Sequence, residues 1–151
     1  MPTTILNSDA PAFAGEFRHR IEGKNRITIP SGWRFGQEVD LFMICKTLDR
    51  CISVMPRTEV DRIKSSASEG LSPEARSQFL HLFGRNLRLV KLDKAGRISI
   101  PEEFCKRLEI DDAVVLSGAI DTFNIWNAKD FDSKHTETDD RTELLLGRYG
   151  I

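Results

Sequence analysis

The chain has 151 residues, 40% of them hydrophobic and 30% charged, and a formal net charge of −1. Such a chain forms one domain, or two small units with a shared core, and its balance excludes a disordered or membrane-spanning polypeptide: no apolar run approaches the roughly 20 residues that cross a bilayer. The opening "MPTTILNSDAPAF" has no basic region and no long apolar stretch, so no secretory signal is expected and the default location is the cytoplasm.

In chain order, "GEFRHRIE" reads as a strand and "EGKNR" as a tight turn. "RITIP" follows, with Ile27 and Ile29 on one face, the period-2 pattern of a half-buried strand. Pro30 ends it, because proline brings no N–H to a ladder, and a short helix is expected in "SGWRFG". "VDLFMICK", the turn "LDR" and "CISVMP" read as a hairpin. "TEVDRIKSSA" reads as a helix, and a second begins at Ser72, a capping residue before Pro73, with Ala75, Phe79, Leu82 and Phe83 on one face. "RLVKLDKAG" then gives a strand and turn, and "RISIP" a strand. "EEFCKRLEI" gives a helix with acids at its positive start and Phe104 and Leu108 on one face. "DAVVLSG", the turn "AID" and "TFNIWN" form another hairpin. "SKHTETDDRTE" is polar enough to be poorly ordered, and "LLLGRYGI" is free to dock on the fold or on a neighbouring subunit.

The order of elements is written twice. Shifted by 71 positions, "IEGKNRITIP" falls on "LDKAGRISIP", and Arg26, Ile27, Ile29 and Pro30 recur as Arg97, Ile98, Ile100 and Pro101. The shift also carries Ile52, Val54 and Met55 onto Phe123, Ile125 and Trp126. A unit of about 45 residues buries too little surface to stand alone. Two such units pairing strands with each other would close a shared β-barrel and remove their exposed edges.

The charge is unevenly spread. Arg18, Arg20, Lys24, Arg26 and Arg34 outnumber Glu16 and Glu22 in one stretch, and Arg88, Lys91, Lys94 and Arg97 crowd the second turn. The compensating acid lies late, in "EIDD", "DFD" and "ETDD". Each turn sets an acid, Glu22 or Asp93, four residues before its arginine, and places Asn25 or Gly96, the types that best accept positive φ, directly before it. The acids can accept turn N–H groups or pair with the arginine. Arg26 and Arg97 can therefore tie their own turns or face a phosphate or a guanine edge, and both roles can coexist. Taken singly, the other surface bases read as solvated.

No catalytic constellation is present. His19, His81 and His135 have no ligand spacing, and His19 between Arg18 and Arg20 could add to a phosphate-binding face but reads rather as a bland surface residue. No phosphate loop, nucleophile elbow or H-E-x-x-H appears. Cys45, Cys51 and Cys105 lack a C-x-x-C spacing and read as reduced apolar side chains. Neither an enzyme, a metal, a cofactor nor a small-molecule substrate is expected.

The pair "IEGKNRITIP" and "LDKAGRISIP" resembles the doubled D-x-x-G-R-hydrophobic-x-hydrophobic-P signature of MraZ proteins, bacterial transcriptional regulators built from two SpoVT/AbrB-like repeats. "FAG" at 13–15, "RSQFLHLFGRN" and "FNIWNAKDF" extend the resemblance over about residues 13–132. The first copy departs from the pattern in Glu22 for aspartate and Asn25 for glycine, and Ala14 stands where arginine is frequent. The resemblance implies a mainly β, α+β fold with short helices, a double-split swapped-hairpin β-barrel of the AbrB/MazE/MraZ type. It implies repeats at 16–59 and 87–130, a helical connector at 60–86 and a tail at 131–151. It further implies a ring-shaped homo-oligomer, cytoplasmic and nucleoid-associated, that binds direct repeats in double-stranded DNA upstream of the division and cell wall gene cluster. By match to the motif, Arg26 and Arg97 are expected to contact DNA. Lys24, Lys94, Arg18, Arg20 and Lys91 are the supporting bases, and Glu22, Asn25, Asp93 and Gly96 shape the turns. The rival readings are an AbrB-like antitoxin, disfavoured because both halves lie in one chain, and a ring-forming scaffold that binds no DNA.

Overall fold

A computed structural model describes residues 12–34, 40–134 and 140–151. The expectations for residues 1–11, for the start of "VDLFMICK" at Val39 and for His135 to Asp139 lie outside these. The described chain is mixed α+β. Its strands are β1 (Glu16–Arg20), β2 (Arg26–Thr28), β3 (Asp40–Lys46), β4 (Cys51–Pro56), β5 (Arg88–Lys91), β6 (Arg97–Ser99), β7 (Ala113–Gly118) and β8 (Phe123–Asn127). Its helices are α1 (Arg57–Gly70), α2 (Pro73–Asn86), α3 (Glu102–Arg107), α4 (Ala128–Lys134) and α5 (Asp140–Arg148), with a 3₁₀ turn at Ser31–Trp33.

Six strands form one antiparallel sheet in the order β1-β7-β8-β4-β3-β5, and β2 and β6 form a separate antiparallel ribbon. The 71-residue shift exchanges β1 with β5, β7 with β3 and β8 with β4, so the sheet reads the same from either end. Ser53 lies opposite Asn124 and Ile27 opposite Ile98. Both pairs are related by that shift, so one pseudo-two-fold axis passes through the sheet and the ribbon. β1 pairs with β7 and β5 with β3, so the opening strand of each sequence copy lies against the other copy. The sheet ends at β1 and β5, and the ribbon lies against both, β2 by β1 and β6 by β5.

The core fills the space between ribbon and sheet. The ribbon contributes Ile27, Ile29, Ile98 and Ile100. The sheet contributes Leu41, Met43, Ile52, Val54, Val114, Leu116, Phe123 and Ile125, and α3 adds Phe104. β4, central in the sheet, is buried along its whole length, as its unbroken run of uncharged side chains requires. Phe13 anchors the opening segment: its ring meets Trp33 edge-on at 5.8 Å and Phe123 at 5.2 Å. The Trp33 indole N–H donates to the Ala14 carbonyl at 2.9 Å, so this buried ring leaves no polar atom unmatched.

The helices add to the sequence reading. α2 begins as read, with the Ser72 hydroxyl accepting from the Ala75 N–H, but neither it nor α1 fully buries a side chain. Its Phe79 and Phe83 stack on each other at 5.5 Å instead of entering the core. α4 was not anticipated; it starts 71 residues after α1, as the shift requires. The polar stretch is helical where described: Ser133 and Lys134 close α4, and Asp140 and Glu143 sit in the first turn of α5, where acid suits the positive helix end. Leu144, Leu145 and Leu146 of α5 are exposed and do not dock on the core. Among the described residues no helix is long and apolar enough to cross a membrane.

Candidate nucleic-acid interface

The ribbon sorts its side chains by alternation. Ile27 and Ile98 are buried, so Arg26 and Thr28 of β2 and Arg97 and Ser99 of β6 turn to the opposite, outer face. Arg26 pairs with Ser99 and Arg97 with Thr28, which sets the two arginines at diagonal corners of that face. Lys24 and Lys94 lie on the turns that lead into the two strands, and both are exposed. Each strand also bonds to the opposite turn, through Ile29 N–H to Gly96 O and Ile100 N–H to Asn25 O, both at 2.9 Å. The turns and the ribbon therefore form one connected surface.

The two turns are built differently. In the second, Asp93 N–H donates to Arg97 O at 2.9 Å, Gly96 N–H donates to Asp93 O at 3.0 Å, and Gly96 adopts a left-handed φ of 77°. This is a three-residue hairpin loop closed by a left-handed residue. The Asp93 carboxylate accepts from the N–H groups of Ala95 and Arg97, at 2.8 and 2.9 Å, and from Arg97 Nε at 3.0 Å. The Arg97 backbone N–H is foremost in holding the Asp93 carboxyl below its usual range, with the Ala95 N–H and the guanidinium adding to it. Gly96 is also buried. Arg34 lies on it so closely that a Cβ there would stand 2.6 Å from Arg34 Nε. Arg34 is itself held by donating Nε and Nη2 to the Ile29 carbonyl, at 3.0 and 2.8 Å.

In the first turn Glu22 and Arg26 exchange both backbone bonds, at 2.9 and 3.3 Å, and two successive residues, Lys24 and Asn25, are left-handed at φ 64° and 56°. Asn25 suits that region, whereas for Lys24 it is an uncommon conformation. Here the structure corrects one expectation. Glu22 does not pair with its own arginine. Its side chain is one methylene longer than that of Asp93 and reaches Arg97 Nη1 across the ribbon at 3.5 Å. Arg26 Nε donates to Gly23 O at 3.0 Å, and Arg26 has no ion pair among the described residues.

The supporting bases divide. Lys24, Lys94 and Arg20 are exposed and have no ion pair among the described residues. Arg18 pairs with Asp132 of α4, and Lys91 Nζ lies 3.6 Å from Asp40 at the start of β3, so neither is brought onto the ribbon. His19 does not join Arg18 and Arg20; it lines a cavity of about 410 Å³ with Phe17, Pro30 and Trp33. Arg34 is the positioning residue that sequence reading missed. The signal was only indirect, an arginine four residues beyond Pro30 and a glycine whose missing side chain makes room for it.

Asp93 gives the site an acid dependence. Its folded-state pKa lies below the unfolded value of about 4, so the unfolded chain binds more protons in between. The stabilisation is complete above about pH 4 and is lost as pH falls through the folded value. Asp93→Asn keeps an acceptor for the turn and removes the charge. In urea unfolding across a pH series, wild type is expected to exceed this variant at neutral pH, with the gap closing below about pH 4.

Among the described residues no group of three or more His, Cys, Asp or Glu could hold a metal ion. Burial pushes the Cys51 and Cys105 thiols up to about 11, which keeps both protonated at neutral pH.

A family model described as "MraZ protein, putative antitoxin-like" matches residues 85–143, which include the second turn and β5 to β8. The chain is 35% identical over 118 residues to the transcriptional regulator MraZ of Desulfitobacterium hafniense, covering 76% of this chain and 80% of that protein. It is 30% identical over 118 residues to the protein of that name from Halothermothrix orenii, covering 78% and 82%. It is 29% identical over 135 residues to that from Desulforamulus reducens, covering 88% and 94%. Identity of this order, sustained over most of this chain and most of each relative's length, shows that the chain belongs to the MraZ family.

Proposed function

We propose that this protein is a sequence-specific DNA-binding transcriptional regulator whose contact surface is the outer face of the β2–β6 ribbon with its two turns. The observation that carries this reading is the alternation that puts Arg26 and Arg97 on one outward face, flanked by the exposed Lys24 and Lys94. Guanidinium groups suit phosphate oxygens and guanine edges, and the lysines supply sequence-independent attraction. The names of the relatives support the regulatory role.

The swapped strand pairing supports a double-split barrel of two repeats, 16–59 and 87–130, joined by the connector 60–86 and followed by the tail 131–151. Its occupant is double-stranded DNA carrying short direct repeats, upstream of the division and cell wall gene cluster, as the resemblance implies. A ring-shaped homo-oligomer would place several weakly basic faces on such an array and bind by avidity, in the cytoplasm and at the nucleoid.

The test is a gel-shift assay with the protein's own promoter against random duplex at several salt concentrations, with sizing of Arg26→Ala and Arg97→Ala. The expected result is preference for the promoter, an affinity that falls steeply with salt, and arginine variants of native size that bind weakly. Equal binding to random duplex overturns the reading, and arginine variants that lose their native size favour the scaffold instead.

A further inference from the structure

We infer that Glu22 competes with DNA for Arg97 and thereby sets the affinity of the ribbon face; this rests on the regulatory reading above. Arg97 is held on two sides. Asp93 takes Nε at 3.0 Å, and Glu22 approaches Nη1 at 3.5 Å. The two acids do different work. Asp93 also accepts two backbone N–H groups, so it belongs to the frame of its turn. Glu22 caps no N–H of its own turn, and its carboxylate is half exposed.

Glu22 therefore stands where a phosphate oxygen would approach Arg97. The arginine offers five donors, and a carboxylate and a phosphate seek the same edges of the guanidinium. A phosphate at Nη1 must displace Glu22 or be repelled by it. The diagonal partner Arg26 meets no such acid, so the two corners of the face are unequal although the backbone is pseudo-symmetric. The inequality has two sources, the different backbone of the two turns and the extra methylene of Glu22. At the equivalent position Asp93 is too short to leave its own turn and caps it, whereas Glu22 is long enough to cross the ribbon.

An exposed carboxylate pair of this kind modulates binding by a small factor. Glu22→Gln is expected to bind promoter DNA about five-fold more tightly at low salt, with unchanged thermal unfolding. The discriminating experiment is a double-mutant cycle by fluorescence anisotropy with promoter duplex, at low salt so that the remaining bases keep every variant's binding measurable. On an Arg97→Ala background the gain from Glu22→Gln is expected to vanish. Glu22→Asp keeps the charge but lacks the reach, and is expected to tighten binding as well. An equal gain on both backgrounds, or no gain from Glu22→Asp, means general charge repulsion and overturns the competition. No gain from Glu22→Gln while Arg97→Ala weakens binding overturns it too and leaves the regulatory reading standing. If wild type shows no preference for its promoter, the regulatory reading itself has failed, and the competition falls with it.

Discussion

Gly118→Ala is expected to destabilise the protein by about 3 kcal/mol, lowering its melting temperature by about 6 to 12 °C, because overpacking against rigid backbone has no cheap relief. A Cβ at this position would run into the Phe13 carbonyl and stand 2.8 Å from the Ala14 nitrogen, both main-chain groups. The opening segment crosses the end of β7 here, and three bonds fix it: Gly118 N–H to Gly15 O at 2.9 Å, Ile120 N–H to Phe13 O at 3.0 Å and Phe13 N–H to Ile120 O at 2.9 Å. Moving that segment would draw the Phe13 ring away from Trp33 and Phe123. The measurement is thermal unfolding by circular dichroism. A variant that melts with wild type would mean that the crossing is not tightly held. An exposed glycine such as Gly147, where a Cβ meets nothing within 4 Å, makes the control.

The double variant Lys24→Ala, Arg26→Ala is expected to show the largest loss of DNA binding, about ten- to a hundred-fold at moderate salt. Neither residue has an ion pair among the described residues, so their charge is available to phosphate. Arg97, already matched by Asp93 and Glu22, has less free charge to offer in the unbound protein. Removing one cation from a phosphate lowers the slope of log affinity against log salt by about 0.9, so the double variant's slope should be shallower by about 2. Anisotropy titrations at four or five salt concentrations measure both quantities. An unchanged slope would place the DNA-binding surface elsewhere. The first turn departs further from the family pattern, yet neither of its two cations has an ion pair among the described residues, whereas Arg97 in the second turn has two.

Much of the fold could be read because alternation is a local property. Ile27, Ile29, Ile98 and Ile100 needed only their spacing, and Ser72 with Pro73 marked a helix start by their own chemistry. The 71-residue shift returns in the register of the strands, with Ser53 opposite Asn124 and Ile27 opposite Ile98. What could not be read depends on partners distant in the chain. Nothing in "GEFRHRIE" says that it will join β7, or that Arg18 will meet Asp132 and leave the basic face. Nothing in "EGKNR" shows Glu22 reaching Arg97, and a lysine gives no hint of a left-handed backbone. The amphipathic pattern of α2 marked a helix with an apolar side, but periodicity does not say what covers that side, and α2 fully buries none of it.

The exchange of opening strands between the two halves also governs the order in which the molecule can be made. On the ribosome, β3 and β4 can form their hairpin as soon as they emerge, since the two strands are neighbours in sequence. β1 leaves earlier but must wait, unpaired, until β7 has been synthesised far along the chain. β2 likewise waits for β6 before Ile27 can be covered by Ile98. The nascent first half is thus an open structure with unpaired strand edges, and β5 to β8 are what seal it. Premature truncation should therefore cost the whole molecule rather than its missing part.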